Sequence, residues 1–133
     1  METLETGQVW VVAARDDAPP LLCVIGRIDE FRNARQHLKI ISVQLAPHPD
    51  ARDKGWPVVG HMPILEADFH RSGMKLAKSG VDCDEGFEDG YKEWRKAFET
   101  GEAGAFSVTV SEAYSGIVSL AARPEGEPDP TFA

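Results

Sequence analysis

EGFEDGYKEWRKAFET, residues 85–100, is the stretch of sequence that decides the fold. Its aromatic residues recur at steps of four, three and four positions, which is the spacing of one face of an α-helix: Phe87, Tyr91, Trp94 and Phe98. Charged residues occupy the other sides of the same helix, so the aromatic stripe is expected to face a core. A stripe of this length needs an apolar surface to cover, and the rest of the chain has to supply one.

The first half of the chain supplies that surface as strand-like runs. Residues 8–14 and 21–28 are rich in β-branched and aromatic side chains, and a turn with two prolines separates them. Residues 38–45 predict a third strand and residues 58–62 a short fourth one. Gly26 is expected to mark a bulge at which the second strand bends. Short polar connections favour an antiparallel sheet that is curled or forms a half-barrel.

The second half of the chain predicts helices that pack against this sheet. Residues 64–79 carry apolar side chains at helical spacing, and residues 85–100 carry the aromatic stripe. A further short strand is expected at residues 105–110. Residues 111–122 predict a last helix, capped by Ser111. The predicted fold is therefore α+β, with an antiparallel sheet from the first half covered by two or three helices from the second.

Composition sets limits on the organisation and location of the chain. At 133 residues, with 42% hydrophobic and 27% charged residues, it is expected to form one domain over residues 1–122, followed by a flexible tail at residues 123–133. Cys23 and Cys83 are the only cysteines, which predicts free thiols rather than a disulfide framework. The N-terminal residues do not resemble a signal peptide, and no apolar stretch approaches the ~18 residues of a membrane span. We therefore expect a cytoplasmic protein without membrane contact.

The charge of the chain is unevenly distributed. The formal net charge is −8, from 14 basic and 22 acidic side chains. Residues 1–60 hold seven basic and eight acidic side chains, whereas residues 61–133 hold seven and fourteen. Nucleic-acid backbones are bound mainly by clustered Lys and Arg, and the sequence has no such cluster. Nucleic acid is therefore not an expected partner.

His61, Glu66 and His70 are the strongest candidates for chemistry. Glu66 and His70 are four positions apart, so they would share one face of the helix predicted over residues 64–79, and His61 comes shortly before it. Two imidazoles and a carboxylate suit zinc or another divalent ion, and a small hydrolase could use that ion to activate water. Alternatively these are unrelated surface positions, because their spacing matches no established metal motif, and then no cofactor is expected.

The acidic side of the aromatic helix is the candidate for partner binding. Residues 82–102 hold eight acidic and three basic side chains. Glu88, Asp89 and Glu93 would lie away from the core and could attract a basic protein surface. The alternative is that they only solvate the helix. The predicted function is a non-enzymatic protein-interaction domain, such as an adaptor or inhibitor, with the metal-dependent hydrolase as the alternative.

Trp56 is a second candidate for partner binding. It lies between a glycine and a proline, within a loop predicted over residues 46–57 that contains three prolines. An exposed tryptophan in such a loop often anchors a partner. It could equally fold back as a lid on the edge of the sheet, because long loops are also often merely irregular.

One resemblance to a known family concerns the start of the chain. Gly7-Gln-Val-Trp-Val-Val12, a proline-containing turn and Leu21-Leu-Cys-Val-Ile25 resemble the first two strands of the small-barrel endoribonuclease toxins of plasmid-maintenance systems. Over residues 7–45 the resemblance implies a barrel-like start to the sheet. Such toxins place a basic Arg-Pro element before the second strand, and Pro19-Pro20 stand there in this chain. We therefore do not carry the ribonuclease activity over.

Overall fold

An antiparallel sheet of five strands carries the fold in the computed structural model, which describes residues 3–15, 19–32, 37–49, 56–83 and 85–121. Its strands are β1 (Val9–Val12), β2 (Leu21–Arg32), β3 (His37–Pro47), β4 (Val59–Leu65) and β5 (Lys75–Lys78), arranged in the order β4-β3-β2-β1-β5. The helices are α1 (Glu66–His70), α2 (Glu85–Glu99) and α3 (Val110–Ala121). Over the described residues the sheet is not closed into a barrel. The predicted α+β fold with an antiparallel, half-barrel sheet is confirmed.

Two separate clusters of buried side chains lie on the two faces of the sheet. Ile41, Val43 and Leu45 of β3 belong to the larger cluster, together with Phe69 of α1 and Tyr114 of α3. The intervening position 40 of β3 belongs instead to the cluster under α2. With helices on both faces, every position of β3 from 40 to 45 is buried. A strand covered on both sides loses the simple alternation of buried and exposed residues.

The aromatic stripe of α2 forms the second cluster. Phe87, Tyr91 and Trp94 are at most 9% exposed and pack against Ile40. Phe98 lies at the margin of the cluster, where its ring centroid is 4.6 Å from that of Phe31. The polar atom of Trp94 is satisfied, because its indole Nε1 donates a hydrogen bond of 2.9 Å to the backbone carbonyl of Gly104. The prediction that the stripe faces a core is confirmed.

Gly26 lies at the predicted bulge of β2. The register of β2 on β3 shifts between Ile25 and Arg27, so Gly26 interrupts the regular pairing. A β-carbon built on Gly26 would overlap the ring of Phe87. The backbone of β2 therefore approaches α2 closely at the bulge, and any larger residue would have to displace the aromatic ring.

The helix predicted over residues 64–79 is wrong except for α1. The start of this stretch continues β4, and its end forms β5. Gly73 has φ 68°, a left-handed conformation that ends the helical turn and that glycine adopts without strain. Leu76, whose spacing appeared helical, pairs with Trp10 of β1 instead. Apolar spacing over so few residues does not distinguish a helix from a strand, and one strand of the sheet therefore comes from the second half of the chain.

The strand predicted at residues 105–110 is also wrong. It is reduced to one isolated parallel bridge between Ile64 and Phe106. The last helix begins at Val110 and is capped by Thr109 rather than Ser111. The backbone N–H and the Oγ1 of Thr109 contact Oε1 of Glu112 at 3.1 and 2.8 Å, and the Glu112 N–H lies 3.4 Å from Thr109 Oγ1. This reciprocal arrangement is a capping box.

Other predicted boundaries shift modestly. β2 and β3 each extend further than predicted, so the loop expected at residues 46–57 begins after Pro47. The middle of that loop, and the tail predicted at residues 123–133, lie outside the described residues. No helix in the described part of the chain is long and apolar enough to cross a membrane.

We predict opposite effects for two Gly→Ala substitutions in helices. A β-carbon on Gly90 of α2 would lie 2.8 Å from Cβ of His61, whereas on Gly116 of α3 it would meet nothing within 4 Å. Gly90→Ala should destabilise the protein by about 1–2 kcal/mol, because overpacking outweighs the gain in helix propensity. Gly116→Ala should stabilise it by about 0.5–1 kcal/mol. Urea unfolding measures both, and stabilisation by Gly90→Ala would contradict the close packing of α2 on β4.

Candidate functional site

The three side chains proposed as metal ligands have different surroundings. The ring of His61 lies under α2, next to the rings of Phe87 and Trp94. Glu66 forms an ion pair of 2.9 Å with Lys39 of β3, and His70 is exposed at the end of α1. Because α1 packs on the face of the sheet opposite α2, the three do not share a site. Among the described residues, no group of three or more His, Cys, Asp or Glu side chains is arranged to hold a metal ion.

The His61 side chain packs among aromatic rings and forms one hydrogen bond. Its Nε2 lies 3.0 Å from Oγ of Ser42, and its ring centroid lies 5.5–5.8 Å from those of Phe87, Tyr91 and Trp94. Burial among these rings lowers the pKa of His61 from 6.5 to about 4, although the nearby carboxylate of Asp29 raises it slightly. The imidazole is therefore neutral at pH 7.

A histidine bonded to a serine can activate a nucleophile, but this pair lacks access to a substrate. Ser42 is fully buried in the middle of β3, and α2 covers that face of the sheet. A nucleophile has to reach the carbon or phosphorus atom that it attacks. The contact between His61 and Ser42 therefore satisfies two buried polar groups and does not form a catalytic dyad.

A network of polar side chains joins α2 to β2, on the side of the helix away from His61. The hydroxyl of Tyr91 donates to the Asp29 carboxylate at 2.9 Å, and Nη1 of Arg95 donates to the same carboxylate at 3.1 Å. Burial raises the pKa of Tyr91, and the Asp29 carboxylate raises it further. Arg27 also lies over the Tyr91 ring, 5.0 Å from its centroid.

Sequence reasoning missed this network for a specific reason. The second strand was predicted to end at residue 28, and β2 continues to residue 32. Asp29 and Phe31 therefore face α2 within regular strand structure, as Arg27 does at the bulge. The sequence of alternating residues Arg27, Asp29 and Phe31 is the signal that could have extended the strand.

The acidic residues of α2 divide into two groups. Glu88 and Glu99 have basic partners, Arg27 at 3.6 Å and Arg95 at 2.9 Å, on the flank that faces β2. With 3.6 residues per turn, Asp89 and Glu93 lie further round the helix, on its outer face, one turn apart. Both are exposed, and neither forms an ion pair with a described residue. Of the three acids predicted to bind a partner, Glu88 is half-exposed and already paired with Arg27, whereas Asp89 and Glu93 are exposed and unpaired among the described residues.

Trp56 folds back onto the protein. It is partly buried and packs against the larger core cluster, with its ring centroid 6.3 Å from that of Tyr114. The hydroxyl of Tyr114 donates a hydrogen bond of 2.7 Å to the carbonyl of Pro57, which fixes the adjacent backbone. The geometry therefore favours the interpretation in which Trp56 folds back onto the protein over the one in which it is an exposed anchor.

A cavity of about 430 Å³ opens between the bulge of β2 and the segment that leads into α2. Ile25 and Phe87, each only 1% exposed, form the buried part of its lining. Cys83 lines it as well, half-buried, with its Sγ 4.0 Å from the carbonyl oxygen of Val24. Both cysteines are free thiols, as predicted.

Comparisons with protein-family models, with curated proteins and with solved structures find no match to this chain. The function has to be argued from the geometry of the chain itself.

We predict that His61 makes the stability of the protein dependent on pH. Its pKa is about 4 in the folded protein and close to 6.5 in the unfolded chain, so only the unfolded chain binds this proton between those values. The stabilisation is present above pH 6.5 and is lost as the pH falls towards 4. The loss should amount to about 1–2 kcal/mol, because residual solvent contact reduces the value expected for full burial.

Urea unfolding across this pH window tests the prediction with two variants. His61→Gln should flatten the pH dependence, because glutamine keeps a polar group near Ser42 and does not titrate. His70→Gln, at an exposed position, should leave it unchanged. Equal pH dependence in the wild-type protein and His61→Gln would show that the imidazole is not buried as described.

Proposed function

We propose that this protein is a non-enzymatic binding domain that presents the outer face of α2 to a basic surface of a protein partner, as an adaptor or an inhibitor would. The observation that supports the proposal is the pair of exposed acids on α2, Asp89 and Glu93, which have no basic partner among the described residues. Asp29, Glu66 and Glu88, by contrast, each have a basic partner.

Folding alone does not account for this pair. Like charges one turn apart on a helix destabilise it by about 0.2–0.5 kcal/mol. Lys92 and Lys96 lie on the same helix, but the only ion pairs that described residues form with α2 involve Arg27 and Arg95. Lys92 and Lys96, three positions from Asp89 and Glu93, offset part of their negative potential, but neither carboxylate has a close basic partner among the described residues. A positively charged surface can therefore pair with them, which would orient its approach.

The helix also has the rigidity that a recognition surface needs. Its inner side is fixed by the aromatic cluster and by the close contact of Gly90 with His61. A partner would therefore meet carboxylates whose backbone positions are already set, which reduces the entropy lost on binding. This supports a binding role over catalysis, since the pair of His61 and Ser42 is closed to substrate.

The proposal predicts that partner capture depends on Asp89 and Glu93. Asp89→Asn with Glu93→Gln removes two negative charges from α2 without altering side-chain size. Ala13→Lys with Ala77→Lys changes the net charge by the same amount at exposed positions of or next to β1 and β5, away from α2. Proteins captured from a lysate of the native cell by the wild-type protein should be lost with the first variant and kept with the second.

Salt and kinetics sharpen this test. For any captured protein, raising the ionic strength from about 0.01 to 0.15 M should lower the association rate, because the Debye length falls from about 30 to 8 Å. The variant Asp89→Asn with Glu93→Gln should show a weaker salt dependence. An unchanged set of captured proteins with both variants would remove α2 as the binding surface.

A further inference from the structure

The cavity beside the start of α2 is lined by both apolar and acidic residues. Val81, which is half-buried, offers apolar surface beside the buried ring of Phe87, while Asp82 and Glu88 are exposed. At about 430 Å³ its volume lies within the range of about 300–1,000 Å³ that is typical of ligand sites. Because Glu88 belongs to α2, the cavity adjoins the helix face assigned above to a basic partner.

The two carboxylates at the cavity differ in whether they already form an ion pair. Asp82 has no ion pair with a described residue. Glu88 lies 3.6 Å from Arg27, and both side chains of this pair are about half exposed. An ion pair so long and so open to solvent is weak, so a second cation can share the Glu88 carboxylate at little cost.

These features fit one kind of side chain. Arginine and lysine have an apolar stem that covers hydrophobic surface and a charged head that stays near water or carboxylates. A phosphate or carboxylate would instead face two negative charges, and a wholly apolar group would leave both carboxylates without a counter-charge. We propose that this cavity takes an arginine side chain of the basic partner, with the stem against Val81 and Phe87 and the guanidinium between Asp82 and Glu88. This inference rests on the proposed function and adds an anchor to it.

Cys83 provides a reporter for occupancy of the cavity. Cys23 is fully buried, and burial raises the pKa of its thiol well above the usual range, so it does not react in the folded protein. Cys83 lines the cavity and is only half-buried. A side chain bound in the cavity should therefore slow alkylation of Cys83 by iodoacetamide, a small neutral reagent.

The experiment uses N-acetyl-arginine-N-methylamide as the probe and the corresponding citrulline compound, its neutral isostere, as the control at equal ionic strength. The arginine probe should slow alkylation about threefold at a concentration about twice its Kd, because protection scales as 1 + [L]/Kd. The citrulline compound should give much less protection. Asp82→Asn with Glu88→Gln should abolish the difference between the two probes, whereas Asp89→Asn with Glu93→Gln should preserve it. The inference is overturned if both probes protect equally, if neither protects, or if the cavity variant retains full protection.

The arginine site in the cavity and the binding role of Asp89 and Glu93 can be disproved separately. If arginine does not protect Cys83 but captured proteins still depend on Asp89 and Glu93, the anchor is wrong and the proposed function stands. If arginine protects Cys83 while captured proteins are indifferent to Asp89 and Glu93, the cavity binds arginine and the role of the α2 face is overturned.

Discussion

The close approach of α2 to the sheet is the constraint on which the rest of the structure depends. Phe87 can lie over β2 only because residue 26 is a glycine, and the helix can lie against β4 only because Gly90 leaves room for His61. These two glycines let the aromatic stripe bury its rings against Ile40. The opposite face is closed independently by α1 and α3, so the sheet is covered on both sides.

This packing explains why residues that suggested chemistry serve the structure instead. His61 and Ser42 are held under the aromatic rings, where the imidazole stays neutral and the hydroxyl is closed to substrate. Asp29 is engaged by Tyr91 and Arg95. The polar groups that remain exposed include the outer carboxylates of α2, Asp89 and Glu93, on which the proposed function rests.

Sequence reasoning was most successful where one pattern was long. The stripe over residues 85–100 predicted α2 and its core face, and Gly26 predicted the bulge, but the ring that fills the bulge comes from a residue 61 positions later. Short segments were less well predicted, because the helical spacing of Leu76 gave way to pairing with Trp10. The proposed ligands His61 and Glu66 lie with helices on opposite faces of the sheet. Which face a side chain takes depends on the pairing of the strands, and no local sequence pattern shows that pairing. Thr109 and Glu112 formed a readable capping box, which could have placed α3 correctly.

A double-mutant cycle between residues 26 and 87 tests the central claim most directly. The free energy of unfolding is measured in urea for the wild-type protein, Gly26→Ala, Phe87→Leu and the double variant. If the ring of Phe87 occupies the space above Gly26, Gly26→Ala should lower the free energy of unfolding by about 1–3 kcal/mol when residue 87 is phenylalanine. The same substitution should lower it markedly less when residue 87 is leucine, which gives a coupling energy of at least about 1 kcal/mol. If the two effects add within about 0.5 kcal/mol, the residues do not touch and the account of how α2 meets the sheet is wrong.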